Sequence, residues 1–409
     1  MYKRGIFLLL LKCIILAITV SFNFLAAKFL GLEQYGLFAI ASSILLFSVT
    51  LSKFGLEQVV TRFFAVNNVS SDAYTGNFLF LLLSSSIVAF FIYFCGSGLL
   101  LKFNEQHELV GLFSFIAVLN VLQTIQAYNA AVLKGLSEAV LYTLLNGFFS
   151  FGVALLITLI VKPSTANELL IILVCSTVIS CLLSFLAIKA RTKYRLVVFK
   201  GTMPHIRTVI GPGFNMLLVS LGAIITQQSS TLLLGAHVSL EQVAVFALAL
   251  KVSFIMSYPL VVSNTINSAS FARLYKEKDI LALKLLMNDV RKILSFIAIF
   301  GLALAILCGE GILKFLGQEF MPMYELLLIL MFGQCINLAT GSSVNLLIMA
   351  GFERIHRRNV LILTTLNVLT LIIFIPIYGV LAAAIITSTF IAIKNIVSAF
   401  YVNKLVLKL

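Results

Sequence analysis

The chain has 409 residues, of which 61% are hydrophobic and 11% charged, and its net charge is +14. Soluble proteins carry about 25% charged residues, so this composition excludes an ordinary water-soluble globule. Long apolar runs such as 78–101 and 293–313 reach the roughly 20 residues that a membrane-crossing helix needs. Barrel strands would instead show alternating segments of about ten residues. The predicted fold class is therefore an all-α integral membrane protein.

Hydrophobic windows predict about twelve transmembrane helices. The longest connections between them are 191–207 and the amphipathic stretch 271–291. Neither is long enough to form a catalytic domain, so an enzyme is not expected. In chain order, the predicted spans are 6–29, 36–58, 77–101, 109–132, 139–161, 169–190, 208–234, 242–270, 292–315, 323–350, 359–376 and 379–403.

The basic residues favour one topology. With both termini cytoplasmic, the inner segments of this arrangement hold 21 Lys and Arg residues and the outer segments hold 4. Cytoplasmic loops of membrane proteins carry such an excess. Most of the net positive charge then lies beside the anionic inner leaflet, and no nucleic acid is expected as a partner.

The sequence does not predict a metal or cofactor site. Its six cysteines all fall inside apolar runs, and its four histidines fall in predicted loops without the spacing of metal ligands. No G-x-x-x-x-G-K-[ST] phosphate-binding loop occurs. We therefore expect no catalytic residue, no metal and no cofactor.

A short motif recurs in both halves of the chain. "GLEQYGLFAIA" at 31–41 and "SLEQVAVFALA" at 239–249 are identical at six of eleven positions. Just upstream, Leu30-Gly31 matches Leu234-Gly235, with four extra residues in the second copy, and this upstream register pairs Asn23 with Gln227, two polar residues inside apolar spans. Each copy follows the first of six predicted spans, so the halves form a parallel repeat, as in transporters built from two lobes. The predicted organisation is an N-lobe at 1–190 (spans 1–6), a basic cytoplasmic linker at 191–207 and a C-lobe at 208–409 (spans 7–12).

The stretch "AKFLGLEQYGLFAIASSILLFSVTLSKFGLEQVVTRFF" at 27–64 carries a family resemblance. It contains, in order, a small-residue pair, Leu-Gly, an acidic-polar-Tyr-Gly turn, a second helix, a second Gly-Leu-x-Gln and an Arg-Phe. It resembles the opening of Wzx-type O-antigen and polysaccharide flippases, the polysaccharide transporter family in the superfamily of MATE drug exporters and the lipid II flippase. These elements are Ala26-Ala27, Leu30-Gly31, Glu33-Gln34-Tyr35-Gly36, Gly55-Leu56-Glu57-Gln58 and Arg62-Phe63.

The resemblance implies a function and a set of partners. It implies that an undecaprenyl-pyrophosphate-linked oligosaccharide passes from the inner to the outer leaflet of the bacterial inner membrane by alternating access. The implied partners are the lipid-linked oligosaccharide, membrane lipids, a polysaccharide polymerase and a chain-length regulator.

Such a substrate combines a diphosphate, a sugar chain and a lipid tail, and cations inside the spans would offset the diphosphate charge. Lys251 lies ten residues past Glu241, well inside its predicted span. Lys53 can instead form an ion pair with Glu57 four residues on, and the other cations have topological or interfacial alternatives. The candidate cavity cations are Lys251, Lys53, Lys394, Arg62 and Lys28.

Uncharged polar residues inside the spans are candidates for lining the path of the sugar. The alternative for each is a hydrogen bond between helices, worth on average about 0.6 kcal/mol in membranes, which is the commoner use. The candidates are Asn23, Gln227, Gln123, Gln126, Asn264 and Asn267.

Other functions remain open at this level. A MATE-like multidrug or ion antiporter would favour an acidic cavity, which the sparse acidic residues disfavour. A membrane-bound glycan polymerase or ligase would need a sizeable outer loop for its catalytic residues. A purely structural scaffold would gain nothing from lysines inside its spans, which are costly without a polar path.

Overall fold

The computed structural model describes residues 2–57, 59–61, 82–94, 107–136, 138–191 and 206–407, and within these ranges the secondary structure is helical. This confirms the all-α class. A helix satisfies its backbone groups internally, which a lipid environment requires. The helices are α1 Tyr2–Lys53, α2 Leu82–Phe94, α3 His107–Gly135, α4 Ala139–Thr143, α5 Ser150–Val161, α6 Ala166–Arg191, α7 Ile206–His237, α8 Leu240–Ile255, α9 Tyr258–Lys276, α10 Ile280–Leu316, α11 Met323–Ala339, α12 Ser343–Met349 and α13 Glu353–Tyr401. A π-helix, Leu144–Phe149, joins α4 to α5, a 3-10 turn, Gln318–Phe320, precedes α11, and a π-helix, Val402–Val406, follows α13.

Eight helices in the described ranges are long and apolar enough to cross a membrane, or nine if α11 and α12, which meet at 42°, form one span. Helices α1 and α13 have 52 and 49 residues. At about 1.5 Å per residue each is longer than twice the roughly 30 Å hydrocarbon core. Each can therefore supply two crossings, and the total of twelve stays a prediction.

Single glycines divide both long helices. Gly31 has φ 75° and ψ 164°, and Gly379 has φ 57° and ψ −135°, conformations that only glycine adopts readily. Pro376 lies three residues before Gly379 and removes a backbone donor there. The expected loop between spans 1 and 2 is thus a break at one residue, because glycine alone can reverse the chain locally without a longer turn.

The second copy of the repeated motif makes a different connection. Helix α7 ends at His237 and α8 begins at Leu240. The hydroxyl of Ser239 accepts a hydrogen bond from the backbone N–H of Gln242 at 3.4 Å, a common way to cap the start of a helix. Val238 and Ser239 therefore form a capped turn where the first copy has only a kinked glycine.

One predicted boundary is wrong. The predicted continuous span 242–270 lies inside a single membrane-length segment, Leu240–Lys276, within which a turn at Met256–Ser257 separates α8 from α9, and α9 has a proline in its first turn. The stretch 271–291 is not a loop, because α9 runs to Lys276 and α10 starts at Ile280. Asp279 caps α10 by accepting a hydrogen bond from the N–H of Ala282 at 2.9 Å.

Residues Met1–Ile224 and Ile225–Leu409 form two compact units. The lobe boundaries inferred from the repeat remain a prediction. In the first unit, a buried core forms where helical residues 56–57 and 59–61 meet α3 and α6, around Leu56, Val60, Tyr128, Val132, Leu133 and Ile188. In the second, a buried core joins α9, α10, α12 and the chain end through Phe271, Leu283, Met287, Leu346, Leu347 and Val402.

A hydrogen bond ties the two halves of α1 together across its kink. Tyr35 is fully buried, and its hydroxyl donates to Asn23 Oδ1 at 2.8 Å. Asn23 Nδ2 in turn donates to the carbonyl of Thr19 at 2.7 Å. The tyrosine of the repeated motif thus fixes the return of the chain after Gly31.

Helices α11 and α13 touch through a glycine. A Cβ atom at Gly333 would lie 2.6 Å from Ser388 Oγ and 2.7 Å from the Ser388 carbonyl oxygen. Ser388 Oγ itself donates to the carbonyl of Ile329 at 2.7 Å. Because a backbone atom stands in the way, no side-chain movement alone could make room for a larger residue.

We predict that Tyr35→Phe lowers the free energy of unfolding by about 1–3 kcal/mol, because it leaves the buried carbonyl of Asn23 without its donor. The measurement is the thermal unfolding midpoint of the purified protein in detergent. The double variant Asn23→Leu, Tyr35→Phe removes both partners and should regain part of the loss. An unchanged midpoint in Tyr35→Phe would show that the bond does not hold the two halves.

We predict that Gly333→Ala destabilises the protein by about 1–3 kcal/mol, the usual cost of overpacking. The matched control is Gly311→Ala on α10, where no other atom lies within 4 Å of the added Cβ and alanine is the better helix former by about 1 kcal/mol. Both are compared by thermal unfolding in the same detergent. Equal midpoints for the two variants would contradict the close contact with Ser388.

Candidate functional site

Lys251 is a cation deep within a membrane-length segment. It lies eleven residues after the start of α8, which corresponds to about 17 Å along the helix axis. It follows the buried run 243–250 and is itself half-buried. Five residues later the helix breaks at Met256–Ser257. In transporters, interrupted membrane helices commonly form binding sites near the bilayer midplane.

Residues at the break after α8 form hydrogen bonds with the backbone groups there. The hydroxyl of Ser257 donates to the carbonyl of Phe254 at 2.7 Å, and the N–H of Leu260 bonds back to the Ser257 carbonyl at 3.1 Å. These bonds satisfy part of the backbone that the interruption releases. The interruption is therefore a formed feature of this segment, with Lys251 just before it.

Lys394, also in the second unit, lies on the same long helix as a histidine that the sequence interpretation placed in a loop. His356 is in the first turns of α13, and Lys394 lies in the part of that helix after Gly379. Among the described residues, His356 Nδ1 and Asn359 Nδ2 are buried polar atoms without a hydrogen-bond partner. Asn367, further along the same helix and fully buried, has no partner there for either of its amide atoms. His356, Asn359 and Asn367 thus form a polar strip on the first part of α13.

Lys53 in the first unit pairs with Glu57, as the spacing allowed, but not along one helix. Its Nζ lies 3.7 Å from Glu57 Oε2, and the two side chains are 31% and 38% exposed. Between them Phe54 and Gly55 have φ values of 48° and 67°, so the pair spans a turn. A small, open pocket lies beside it, lined by Lys53, Leu56, Glu57, Val60, Thr124, Ala127 and Tyr128.

The remaining two candidate cations have less distinctive positions. Lys28 is exposed on α1, three residues before the kink. Arg62 lies outside the described residues, as do Gln58 and Phe63 of the motif that carried the family resemblance. Among the described candidates, no hydrogen bond or ion pair joins Lys28 to another.

Two of the six polar candidates are engaged in hydrogen bonds inside the first unit. Asn23 bonds Tyr35, as described above. Gln126 Nε2 donates to Ser180 Oγ at 2.9 Å, and that hydroxyl donates to the carbonyl of Leu145 at 2.6 Å. Their amides connect helices. Gln123, three residues before Gln126, is only half-buried.

The pairing of Asn23 with Gln227 links residues in different environments. Gln227 is exposed on α7. The counterpart of Tyr35 in the second copy is Val243, which has no hydroxyl to bind an amide. The two matched positions therefore differ: Asn23 makes a structural hydrogen bond in the first unit, whereas Gln227 is an exposed amide in the second.

Asn264 and Asn267 lie together on α9, in the segment "SNTINSAS" at 263–270. Asn267 Nδ2 donates to the carbonyl of Ser263 at 3.0 Å. Asn345 Nδ2 on α12 donates to Ser268 Oγ at 2.9 Å. The two helices thus face each other through amides and hydroxyls, and six polar residues within eight were the sequence signal for this cluster.

Arg291, counted from the sequence only as a topological charge, has a structural role. Its guanidinium donates to the Thr340 carbonyl at 3.3 Å, to Ser343 Oγ at 3.4 Å and to Asn403 Oδ1 at 3.2 Å. Gly341, with φ +65°, brings the chain against the Arg291 side chain. Arg291 therefore fixes the bend between α11 and α12, and the neighbouring polar residues on α12 with it.

Carboxylates within the described spans are paired or exposed. Glu57 faces Lys53, and Glu310 forms an exposed ion pair with Lys314 at 2.6 Å. In the part of the chain that the structure describes, no group of three or more His, Cys, Asp or Glu residues could hold a metal ion. The charge available deep in the spans is thus mainly that of lysines.

Comparisons with solved structures agree on the fold. An inward-facing multidrug resistance MATE family transporter of the MOP superfamily superposes with a TM-score of 0.73 at 15% identity, covering 95% of each chain. The lipid II flippase MurJ in an inward closed conformation superposes with a TM-score of 0.75 at 16% identity, covering 98% of this chain and 87% of MurJ. An outward-facing MATE transporter gives 0.68 at 15% identity, covering 99% and 96%. The chain is a multi-pass membrane protein of this fold.

No curated protein sequence matches this chain. A family model does: the one described as "Polysaccharide biosynthesis protein" matches residues 25–325. The match includes the repeated motif, Lys53, Lys251 and the α9 amides, and it extends over most of the chain. The chain belongs to this family of polysaccharide biosynthesis proteins.

Proposed function

We propose that the protein is a flippase that carries an undecaprenyl-pyrophosphate-linked oligosaccharide, an O-antigen or related polysaccharide repeat unit, across the bacterial inner membrane by alternating access. The observation that carries the proposal is the half-buried Lys251 beside a helix break, in a chain of the polysaccharide biosynthesis family. The likeness in fold to a lipid II flippase supports it.

Electrostatics explains why a lysine would be kept at this depth. A lysine near the centre of a membrane helix costs about 2.5–3.5 kcal/mol on insertion scales, so it is retained where it faces a polar path or a partner. A diphosphate carries negative charge that is even more costly to move through hydrocarbon. A cation on the path offsets that cost, and Lys251 is suitably placed along α8 to supply it.

The other candidates take supporting roles in this proposal. Lys53 can exchange Glu57 for a phosphate oxygen, since its ion pair is long and partly exposed. Lys394 contributes a second cation in its own unit, and Lys28 and Arg62 would meet the substrate at the ends of the path. Gln123, Gln227, Asn264 and Asn267 would line the path of the sugar. A polysaccharide polymerase and a chain-length regulator would act on the delivered product.

A multidrug or ion antiporter of the MATE kind is the alternative, favoured by the shared fold. Export of cationic drugs requires unpaired negative charge along the path. Of the carboxylates described inside the spans, Glu57 and Glu310 are engaged with lysines, which favours an anionic substrate instead. The antiporter would be supported if the protein exchanged a cationic dye for protons or sodium ions and did not move the lipid-linked glycan.

We predict that Lys251→Ala lowers the translocation rate at least tenfold. The assay uses the full chain in phosphatidylethanolamine–phosphatidylglycerol vesicles that contain an undecaprenyl-diphosphate-linked oligosaccharide. Translocation is measured as the glycan that becomes accessible to an impermeant oxidant on the opposite leaflet. The loss is expected because the diphosphate would no longer meet the cation on α8 within the hydrocarbon region.

The matched control is Lys314→Ala, which removes the same charge from an exposed ion pair and should transport normally. Lys251→Arg keeps the charge and should retain most of the rate. Normal translocation by Lys251→Ala would remove this residue from the mechanism. No translocation by the unaltered protein, under either proton or sodium gradients, would refute the proposed function itself.

A further inference from the structure

Helices α9 and α12 of the second unit are joined by a network of uncharged polar side chains. Asn345 Nδ2 donates to Ser268 Oγ at 2.9 Å and to the carbonyl of Asn264 at 3.3 Å. Ser268 Oγ also donates to that same Asn264 carbonyl. One turn earlier, the hydroxyls of Ser263 and Ser342 lie 3.2 Å apart. The backbone of α9 at Asn264 is therefore held from two sides.

The side-chain oxygen of Asn264 takes no part in this network. Its Oδ1 atom is buried, and among the described residues no group donates a hydrogen bond to it. Asn267, one turn away, is different, because its amide donates to both the carbonyl and the hydroxyl of Ser263. Buried acceptors normally have a donor. Asn264 thus offers a fixed, unsatisfied acceptor whose backbone position Ser268 and Asn345 determine.

One exposed face of α9 is less apolar than that of a lipid-facing helix. Its positions one turn apart are Val261, Thr265, Ala269 and Arg273, of which only Val261 is a large apolar residue, and the neighbouring Ile266 is also exposed, at 60%. On α10, by contrast, the exposed residues include Phe296 at 72%, Ile299 at 70% and Leu307 at 82%. Large apolar side chains suit contact with lipid, whereas a small, hydroxyl-bearing face suits a polar path.

We propose that Asn264 is a sugar-recognition residue. It accepts a hydrogen bond through Oδ1 from a hydroxyl or acetamido N–H of the transported glycan. Ser268 and Asn345 are positioning residues that hold Asn264 in place. This inference rests on the proposed function and adds the site at which the uncharged part of the substrate is read, separate from the cations that would meet its diphosphate.

The test compares three lipids in vesicles of phosphatidylethanolamine and phosphatidylglycerol that contain the full chain. The lipids are undecaprenyl diphosphate bearing N-acetylglucosamine, the same lipid bearing glucose, and undecaprenyl diphosphate without sugar. For the unaltered protein we expect at least one glycosylated lipid to be moved faster than the bare carrier. In Asn264→Ala that advantage should fall roughly three- to tenfold, the factor expected for one lost hydrogen bond, while the rate of the bare carrier stays the same.

Asn345→Ala should reduce the sugar preference in the same way without changing the rate of the bare carrier, because it releases Asn264. Asn264→Ser keeps a small hydroxyl acceptor and should retain part of the preference, which guards against a mere folding defect. The control is Asn395→Ala, which removes a buried amide that bonds its own helix at 2.8 Å and should keep the preference.

Two results would overturn the inference. The first is an unchanged sugar preference in Asn264→Ala, and the second is an equal loss for glycosylated and bare lipids, which would show a structural role only. Failure of the proposed function looks different, because the unaltered protein would then move none of the three lipids.

Discussion

A polar group inside a membrane must find its hydrogen-bond partner within the protein or along the path that the protein encloses. The helices of this chain follow from that constraint, and so do the ways in which they break. At Gly31 and Gly379 a single glycine with positive φ turns the chain. At Met256–Ser257 a serine hydroxyl bonds a released carbonyl. The helices are interrupted where a residue at the break can adopt the required backbone angles or hydrogen-bond a released backbone group.

The same constraint separates the amides into two groups. Asn23 accepts a hydrogen bond from Tyr35, and Gln126 donates one to Ser180, so these two amides hold the first unit together. Among the described residues, Asn264 and Asn367 of the second unit keep buried atoms without partners. Unsatisfied buried groups are costly and tend to mark functional rather than structural positions. These two amides of the second unit are therefore available to a substrate.

The all-α fold class and most span positions could be predicted from the sequence, because membrane thickness fixes the length of an apolar run. The breaks could not, since each depends on one or two residues inside an otherwise apolar segment. Lys251 was predictable as an isolated charge within such a run. The role of Arg291 was not, because its partners Thr340 and Asn403 are 49 and 112 residues away in the chain. Likewise, the spacing of Lys53 and Glu57 predicted their pairing but not the turn between them.

The two kinds of polar group in the second unit differ in what they can distinguish. A lysine attracts any phosphate over several ångströms, so it selects for charge and tolerates variation in geometry. A hydrogen bond to a fixed amide weakens steeply with distance and angle, so it selects for one arrangement of donors. In a flippase for lipid-linked glycans, the diphosphate is common to all substrates and the sugar varies. Lysines such as Lys251 would then set the substrate class, and amides such as Asn264 would set which glycan is carried.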